Sequence, residues 1–375
     1  MRILFVGYTE VHSKKWVNIL CKRGHEVIFV IPRSSDESKQ EIDSRAKLIE
    51  LPFSGRIGYY LNAPFLKKIE KKYHPNVANV HNASGTGTLA RFAGLDNEML
   101  SVWGHDVYGF PYKNKLCMNI IRKNLLHAKA IGSTSYCMAE KVYKLIGHER
   151  PVTITPFGID TNKFNPEKFT SKQDDTIVIG NVKSLSPKYG IEDLIKAIEV
   201  LKKDLQRDKQ YSNLAPKLRC KIYGSGVQEK ELCELIKKLQ LGSIVSLMGE
   251  VSNTLVPEAM SKMDIFCATS ILDSESFGVA VVEAQAMELP VVVSDVEGFC
   301  EVVEDGVTGI IVKRKNIQEI AAGLKRLVID KELRYRMGRN GRKRVLERYD
   351  IEYNVIQMEE AYKKVVNMRS QRVKE

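Results

Sequence analysis

The sequence predicts an α/β protein of two doubly wound, Rossmann-like halves that face one another across a cleft. Three observations predict it. Short β-branched runs alternate with helical segments along nearly the whole chain, as in parallel sheets covered by helices. The alternation breaks at one polar stretch, "TPFGIDTNKFNPEKFTSKQDD" (155–175), and then restarts. A length of 375 residues favours two domains over one. The division expected is 1–157 for the first domain and 158–352 for the second. A C-terminal helix of about 353–375 is expected to cross back to the first.

In the first half, "RILFVG" is a strand ending at Gly7. "HSKKWVNILCKRG" places Trp16, Ile19 and Leu20 at helical spacing and stops at Gly24. "HEVIFVIP" is a strand closed by Pro32. "FLKKIEKKYHP" reads as a basic helix. "NVANVHN" is a strand running into the small-residue loop "ASGTG", and "MLSVWGHDV" is a strand and loop. "KAIGSTS" is a strand, followed by the helix "YCMAEKVYKLIG". The second half repeats the scheme: "TIVIGNV", helix "GIEDLIKAIEVLKKDL", "LRCKIYGSG", helix "VQEKELCELIKKLQLG", "IVSLMGEV", helix "NTLVPEAMSKM", "DIFCATS", and the late strands "PVVVSDV" and "GIIV". In halves of this kind ligands sit beyond the carboxyl ends of the strands.

Composition is that of a globular protein, 43% hydrophobic and 28% charged. No apolar run approaches the ~18 residues of a membrane span, and the opening "MRILFVGYTE" reads as a strand, not a leader. Seven cysteines are scattered without a CxxC pair, which argues against zinc and redox motifs and for reduced thiols in a cytoplasm. A net charge of +12 predicts attraction to something acidic. The aromatic and arginine patterns of RNA-binding modules and basic low-complexity tails are absent, so no nucleic-acid partner is expected.

The segment "ESFGVAVVEAQAMELP" raises the chemical question. Glu283 sits in an apolar run of Val279, Val281, Val282, Ala284, Ala286 and Met287, a costly setting unless something hydrogen-bonds to it. A buried Lys or Arg could do so, and so could the hydroxyls of a ligand. Ser276, Phe277, Gly278 and Val279 open the helix. Their N–H groups and the helix dipole suit an anionic or sugar oxygen, and Gly278 removes a side chain from that approach.

The stretches "TPFGIDTNKFNP", "GNVKSLSPKYGIEDLIKAI", "IYGSGVQEKEL", "MGEVSNTLVPEAMSKMDIFCATS", "ESFGVAVVEAQAMELPVVVSDVEGFCEVVEDGVTGIIV" and "YDIEYNV" together span most of residues 153–355. They resemble the donor-binding domain of retaining glycosyltransferases of family 4, which have the two-Rossmann GT-B fold. The first half resembles the family more loosely, through the Gly7 loop, "NVHNASG" and "VWGHDVYG". The resemblance implies a nucleotide diphosphate-sugar donor. Glu283 would accept from the ribose diol, Glu275 from hydroxyls of the donor sugar, and Lys183 and Lys188 would clamp the distal phosphate. The family carries Arg where this chain has Lys183, so the bidentate fork becomes a point charge. Base contacts would come from the backbone of Gly249, Glu250 and Val251.

Asp106 matches the family's carboxylate near sugar and acceptor, with a turn or capping role as the alternative. His105 is a further catalytic candidate, and His81, Asn82 and Trp103 are candidates for the acceptor. No protein nucleophile stands out, which fits the front-face substitution implied by the family. No D-x-D motif appears, so metal-independent transfer without a cofactor is expected. UDP is the expected carrier on family frequency. The acceptor would be a glycan, a lipid-linked sugar or a small molecule, as in surface polysaccharide or glycoconjugate synthesis. The basic amphipathic stretches 65–74 and 112–130 suggest peripheral contact of a cytoplasmic protein with an anionic membrane. The alternatives are a GT-B nucleotide-sugar epimerase and a non-catalytic nucleotide-sugar or glycan-binding module.

Overall fold

The computed structural model describes residues 1–33, 39, 41–170, 172 and 174–372. The chain divides into two compact units, Met1–Phe157 with Glu352–Glu375, and Gly158–Ile351. Residues 171 and 173 of the polar stretch, and the last three residues of the expected C-terminal helix, lie outside the described residues.

The first unit is built on strands β1 (Arg2–Val6), β2 (Glu26–Ile31), β3 (Lys47–Glu50), β4 (Val77–His81), β5 (Glu98–Val102), β6 (Ala130–Ser133) and β7 (Val152–Ile154), in the spatial order 3-2-1-4-5-6-7. The second has β8 (Ile177–Val182), β9 (Leu218–Tyr223), β10 (Val245–Leu247), β11 (Ile265–Ala268), β12 (Val291–Ser294) and β13 (Gly309–Val312), in the order 10-9-8-11-12-13. All pairings are parallel. Helices cover both faces, so central strands such as β4 and β12 are buried at every residue. The edge strand β3 exposes Lys47 and Glu50 at its ends, charges that discourage further pairing.

The strand orders fix where ligands can sit. In the second sheet β8, β9 and β10 run outward in one direction, and β11 returns to the other side of β8. The crevice beyond the carboxyl ends of β8 and β11 is therefore the topological switch point. In the first sheet the corresponding point lies between β1 and β4.

The C-terminal helix, Ile351–Arg372, belongs to the first unit from Glu352 onward. Val355, Met358, Tyr362 and Val365 recur at helical spacing and are buried. Arg23 grips Glu359 with both forks, at 2.6 and 3.0 Å, and His25 adds a contact of 2.8 Å to the same carboxylate. The arginine, then the histidine, hold the Glu359 pKa below the ordinary range against the opposing effect of burial. Deeper in, the Tyr362 hydroxyl donates to Asn79 Oδ1 (2.9 Å), which also accepts from His81 Nε2 (2.5 Å); Asn79 Nδ2 donates to Ser101 Oγ (3.0 Å). Because Nε2 donates, Nδ1 is the bare nitrogen. Burial drives the His81 pKa down to about 3, so the ring stays neutral.

Two glycines in the second unit are set by close approach. A Cβ on Gly224, whose φ is +143°, would lie 2.0 Å from the Lys183 carbonyl oxygen. A Cβ on Gly298 would lie 2.3 Å from the Glu275 carbonyl oxygen. The backbones that carry Lys183 and Glu275 thus rest directly on neighbouring backbone.

Two outcomes follow from this packing. Gly298→Ala must displace the 275–277 backbone and should cost about 1–3 kcal/mol, read as a lower urea midpoint. For His81, the unfolded ring takes up a proton below an ordinary pKa of 6.5 while the folded ring resists until about 3. Stability is therefore lost as pH falls through that window, by about 1.4 kcal/mol per pH unit for this group. His81→Gln should flatten the fall in urea midpoint between about pH 6.5 and 4; an unchanged slope would contradict a neutral, buried His81.

Candidate active site

The crevice beyond β8 and β11 is assembled from three short segments. Lys183 is the residue after β8. A loop runs on through Leu185, whose N–H donates to Ser225 O at 2.9 Å, to the helical turn Pro187–Tyr189. Thr269 and Ser270 follow β11, and their loop leads to Glu275 and the helix Val279–Ala286. The turn 224–226 follows β9 and is tied to the next strand's loop by Gly224 N–H donating to Gly249 O at 2.7 Å.

At the centre Lys183 Nζ meets Glu275 Oε2 at 2.7 Å. The side chains are 24% and 11% exposed, so the pair is largely withdrawn from water. Burial opposes the charge on Lys183. Glu275, Tyr189 and Glu283 more than offset it and raise the lysine pKa above its usual value. Both lysines flank one ring: Lys183 Nζ lies 4.6 Å and Lys188 Nζ 4.7 Å from the Tyr189 centroid. Lys188 is exposed, and its carbonyl accepts from Ile271 N–H at 2.9 Å, which ties the two loops together.

Asn181, Lys183, Tyr189, Thr269, Glu275 and Gly278 line one small cavity. Asn181 Oδ1 is buried there and has no hydrogen-bond partner among the described residues. Thr269 Oγ1 donates to Gly190 O at 2.8 Å.

Of the donor residues expected from sequence, the structure brings together Lys183, Lys188, Glu275, Ser276, Phe277, Gly278, Val279 and Glu283. Glu283 is half-buried on the helix Val279–Ala286, and its charge acts on Lys183. The cation allowed for beside this carboxylate is thus present, although Lys183 makes its direct bond to Glu275. Ser276 and Phe277 are buried. Gly278 caps the helix with φ +79°, and a Cβ there would meet the Phe299 ring at 2.7 Å. Its immediate reason is therefore the fold's own packing, not only a ligand's approach. Gly249 and Glu250 lie beside the 224–226 turn, where Glu250 Oε2 accepts from Ser225 Oγ at 3.2 Å, and Val251 follows, half-buried.

Sequence reasoning missed Tyr189, Asn181 and Thr269. The signal for Tyr189 was its place inside "SPKYG", next to a lysine already singled out. Asn181 and Thr269 carried only the signal of polar residues at the ends of apolar strands.

The first-unit candidates divide differently. Asp106 is 1% exposed, and its carboxylate accepts from the N–H groups of Ala83 (2.8 Å), Trp103 (3.0 Å) and Gly104 (2.8 Å). Burial raises its pKa, and these backbone donors partly counter that. It staples the loops after β4 and β5 together, the turn role that sequence left open. His81 is buried under this loop as part of the Asn79 network, with its ring 5.1 Å from Trp103 and 4.2 Å from Phe5. The structure therefore puts it in the core and not on an acceptor-facing surface. His105 is exposed and Trp103 half-buried. Asn82, at φ +80°, accepts from Ser84 N–H at 3.0 Å and shapes the start of the helix Gly85–Ala93. Gly7 closes β1, its N–H donating to Val30 O at 3.1 Å.

Comparison with known proteins agrees with this architecture. The family model described as "Glycosyl transferases group 1" matches residues 162–344, and "Glycosyl transferase 4-like" matches residues 2–135. The capsular polysaccharide biosynthesis glycosyltransferase CapM of Staphylococcus aureus is 29% identical over 217 residues, covering 58% of this chain and 53% of CapM. The match thus spans about half of that relative's length. The putative glycosyltransferase EpsD of Bacillus subtilis is 26% identical over 324 residues, 81% of this chain and 80% of EpsD. The crystal structure of Anabaena HepE in complex with UDP superposes with a TM-score of 0.78 at 18% identity, covering 97% of this chain and all of that one. With two parallel-sheet Rossmann-like units, GT-B neighbours and both family models in register along it, the chain belongs to the family 4 type of glycosyltransferases, group 1.

Proposed function

We propose that the chain transfers a sugar from a nucleotide diphosphate-sugar, with UDP as the favoured carrier, to a hydroxyl of a glycan, lipid-linked or small-molecule acceptor. The transfer retains configuration and needs no metal. The observation that carries the reading is the Lys183–Glu275 pair at the β8/β11 switch point, with Glu283 and Lys188 around it.

In this reading Glu283 accepts from the ribose diol and Glu275 from a hydroxyl of the donor sugar. The first N–H groups of the helix Val279–Ala286, which lack intrahelical acceptors in any α-helix, face the diphosphate. Lys183 and Lys188 neutralise the leaving group, the main electrostatic task of the step. The bond from the anomeric carbon to the diphosphate oxygen breaks, and its electron pair leaves with the nucleotide. The acceptor oxygen bonds to the same carbon on the same face, and its proton passes to the departing phosphate oxygen. The protein positions and stabilises without bonding to the sugar. Asp106 acts indirectly, by holding the loops that carry Trp103 and His105.

The names of the relatives, a capsule-forming glycosyltransferase among them, and a neighbour solved with UDP support a role in surface polysaccharide or glycoconjugate synthesis. No helix among the described residues is long and apolar enough to cross a membrane. The proposal places the protein in the cytoplasm, in peripheral contact with an anionic membrane face.

The test is calorimetric binding of UDP, GDP and ADP and their sugars, with EDTA throughout, followed by an acceptor screen. One nucleotide should bind selectively and turnover should survive EDTA. Loss of turnover restored by Mg²⁺ would overturn the metal-free step, and conversion of the donor without any acceptor would turn the reading to an epimerase. Glu283→Ala should weaken nucleotide binding by about 1–3 kcal/mol, roughly 5- to 150-fold; unchanged affinity would remove its ribose role. Lys188→Ala should lower kcat more than it raises KM for the donor, and equal kcat would remove it from the step.

A further inference from the structure

The second unit has another cavity, at the opposite end of its sheet from the donor site. It encloses about 350 Å³, enough for a small-molecule ligand. Lys202, Gln206, Ser212, Arg219 and Ser243 line it. Ala215 and Ile244 also line it and belong to the unit's buried core, so part of the wall is fixed by packing. The elements set its place. Lys202 and Gln206 stand near the end of the helix Ile191–Arg207, Arg219 is the second residue of β9, and Ser243 comes just before β10. Arg219 is paired with Val178 on β8, five residues before Lys183, or about 16 Å at the usual strand rise. One small molecule held here does not reach the Lys183–Glu275 pair.

The charges around this cavity are unevenly matched. Nearby cations have carboxylates: Lys203 meets Glu199 at 2.5 Å, Lys217 meets Asp175 at 2.7 Å and Lys325 meets Asp208 at 3.3 Å. Lys202 and Arg219 have no carboxylate within 4.0 Å among the described residues, and no Asp or Glu lines the cavity. Arg219 Nη1 donates to Pro216 O at 2.8 Å and to Leu218 O at 2.7 Å. These bonds hold the guanidinium in place, while Nε and Nη2 have no acceptor among the described residues. Gln206, Ser212 and Ser243 are exposed, and their side chains make no hydrogen bond among the described residues.

A lone lysine on a surface is a solvated charge and says nothing. Here a held guanidinium and an ammonium line one cavity without a counter-charge. That is the donor set of a phosphate group, a fork from arginine and a point charge from lysine. The negative carboxyl end of the helix Ile191–Arg207 opposes an anion, but less strongly than one charge-assisted hydrogen bond favours it.

We propose that this cavity is a second ligand site, which binds the phosphate monoester of a small polyhydroxyl molecule. Arg219 Nε and Nη2 and the Lys202 ammonium meet the phosphate oxygens. Gln206, Ser212 and Ser243 meet the hydroxyls. The site is independent of the donor reading, and a nucleotide and the phosphate ester can be bound at once.

The test is calorimetric titration of the whole chain with ribose 5-phosphate, ribose and inorganic phosphate, each with and without saturating UDP. Ribose 5-phosphate should bind at least about tenfold more tightly than ribose, and equally well with UDP present. Lys202→Met should weaken it by about tenfold or more while keeping the wild-type urea midpoint and UDP affinity. Arg219→Lys keeps the charge and loses the fork, and should weaken it too. Lys202 stands on a partly exposed helix face, so Lys202→Met remains a test if the Arg219 variant folds poorly. No binding of ribose 5-phosphate, equal affinity for ribose, displacement by UDP, or unchanged affinity in Lys202→Met would overturn the site. Inorganic phosphate should bind more weakly than the ester; equal affinity would overturn the assignment of the hydroxyl partners. A chain that binds ribose 5-phosphate through Lys202 but no UDP would fail the donor reading and leave this site standing.

Discussion

An ion pair with little access to water, Lys183 with Glu275, stands where three loops of the second unit converge, and the local structure is arranged around it. Such a pair is costly unless its geometry is good and its remaining hydrogen-bonding capacity is used. Here the strand order sets the geometry. Lys183 leaves β8 and the Glu275 loop leaves β11 at the one place where the sheet's winding reverses. Backbone-to-backbone seating at Gly224 and Gly298 holds each partner from behind. Glu283 and Tyr189 then tip the balance toward a charged lysine. A buried charge pair is weak evidence for stability but apt for binding. A donor that supplies both hydroxyls and a diphosphate can take over the two charges separately.

The first unit solves a different problem. Its polar residues near the switch point are mostly committed to the protein itself: Asp106 to three backbone N–H groups, His81 and Asn79 to a network reaching Tyr362 on the C-terminal helix. That helix is locked by Glu359 between Arg23 and His25. The loops that carry Trp103 and His105 are thereby tied together, and a cavity opens beside Tyr8 and Tyr59.

The fold was legible because its strands are short, apolar and separated by periodic helices. The segment 275–287 was legible through its resemblance to the family's donor-binding domain, because a carboxylate pair beside an apolar run says little when taken alone. Other features were harder to read. "ASGTG" reads as a loop because glycine disfavours helix, yet Gly85–Ala93 is a helix in which Gly85 and Gly87 admit the tyrosine pair and the Leu100 side chain. The edge strand Lys47–Glu50 and the helix Gly55–Leu61 carry too few residues to show a period. Asp106 and His81 are polar residue types whose role depends on burial, which the sequence does not display; their engagement with the backbone and with Asn79 appears only in three dimensions. Tyr189 is a loop aromatic in sequence and becomes part of the site only because both lysines turn toward it.

We propose that the Lys183–Glu275 pair marks the donor site and that a bound donor separates its two charges. The most direct measurement is a double-mutant cycle on nucleotide affinity with Lys183→Met, Glu275→Gln and both together. The account predicts that Lys183→Met weakens nucleoside diphosphate binding strongly, and that Glu275→Gln, by freeing the lysine, leaves it unchanged or tighter while abolishing transfer. The double variant should bind as weakly as Lys183→Met alone. Affinity for the nucleotide that is indifferent to Lys183 would contradict it and reduce the pair to a structural bridge.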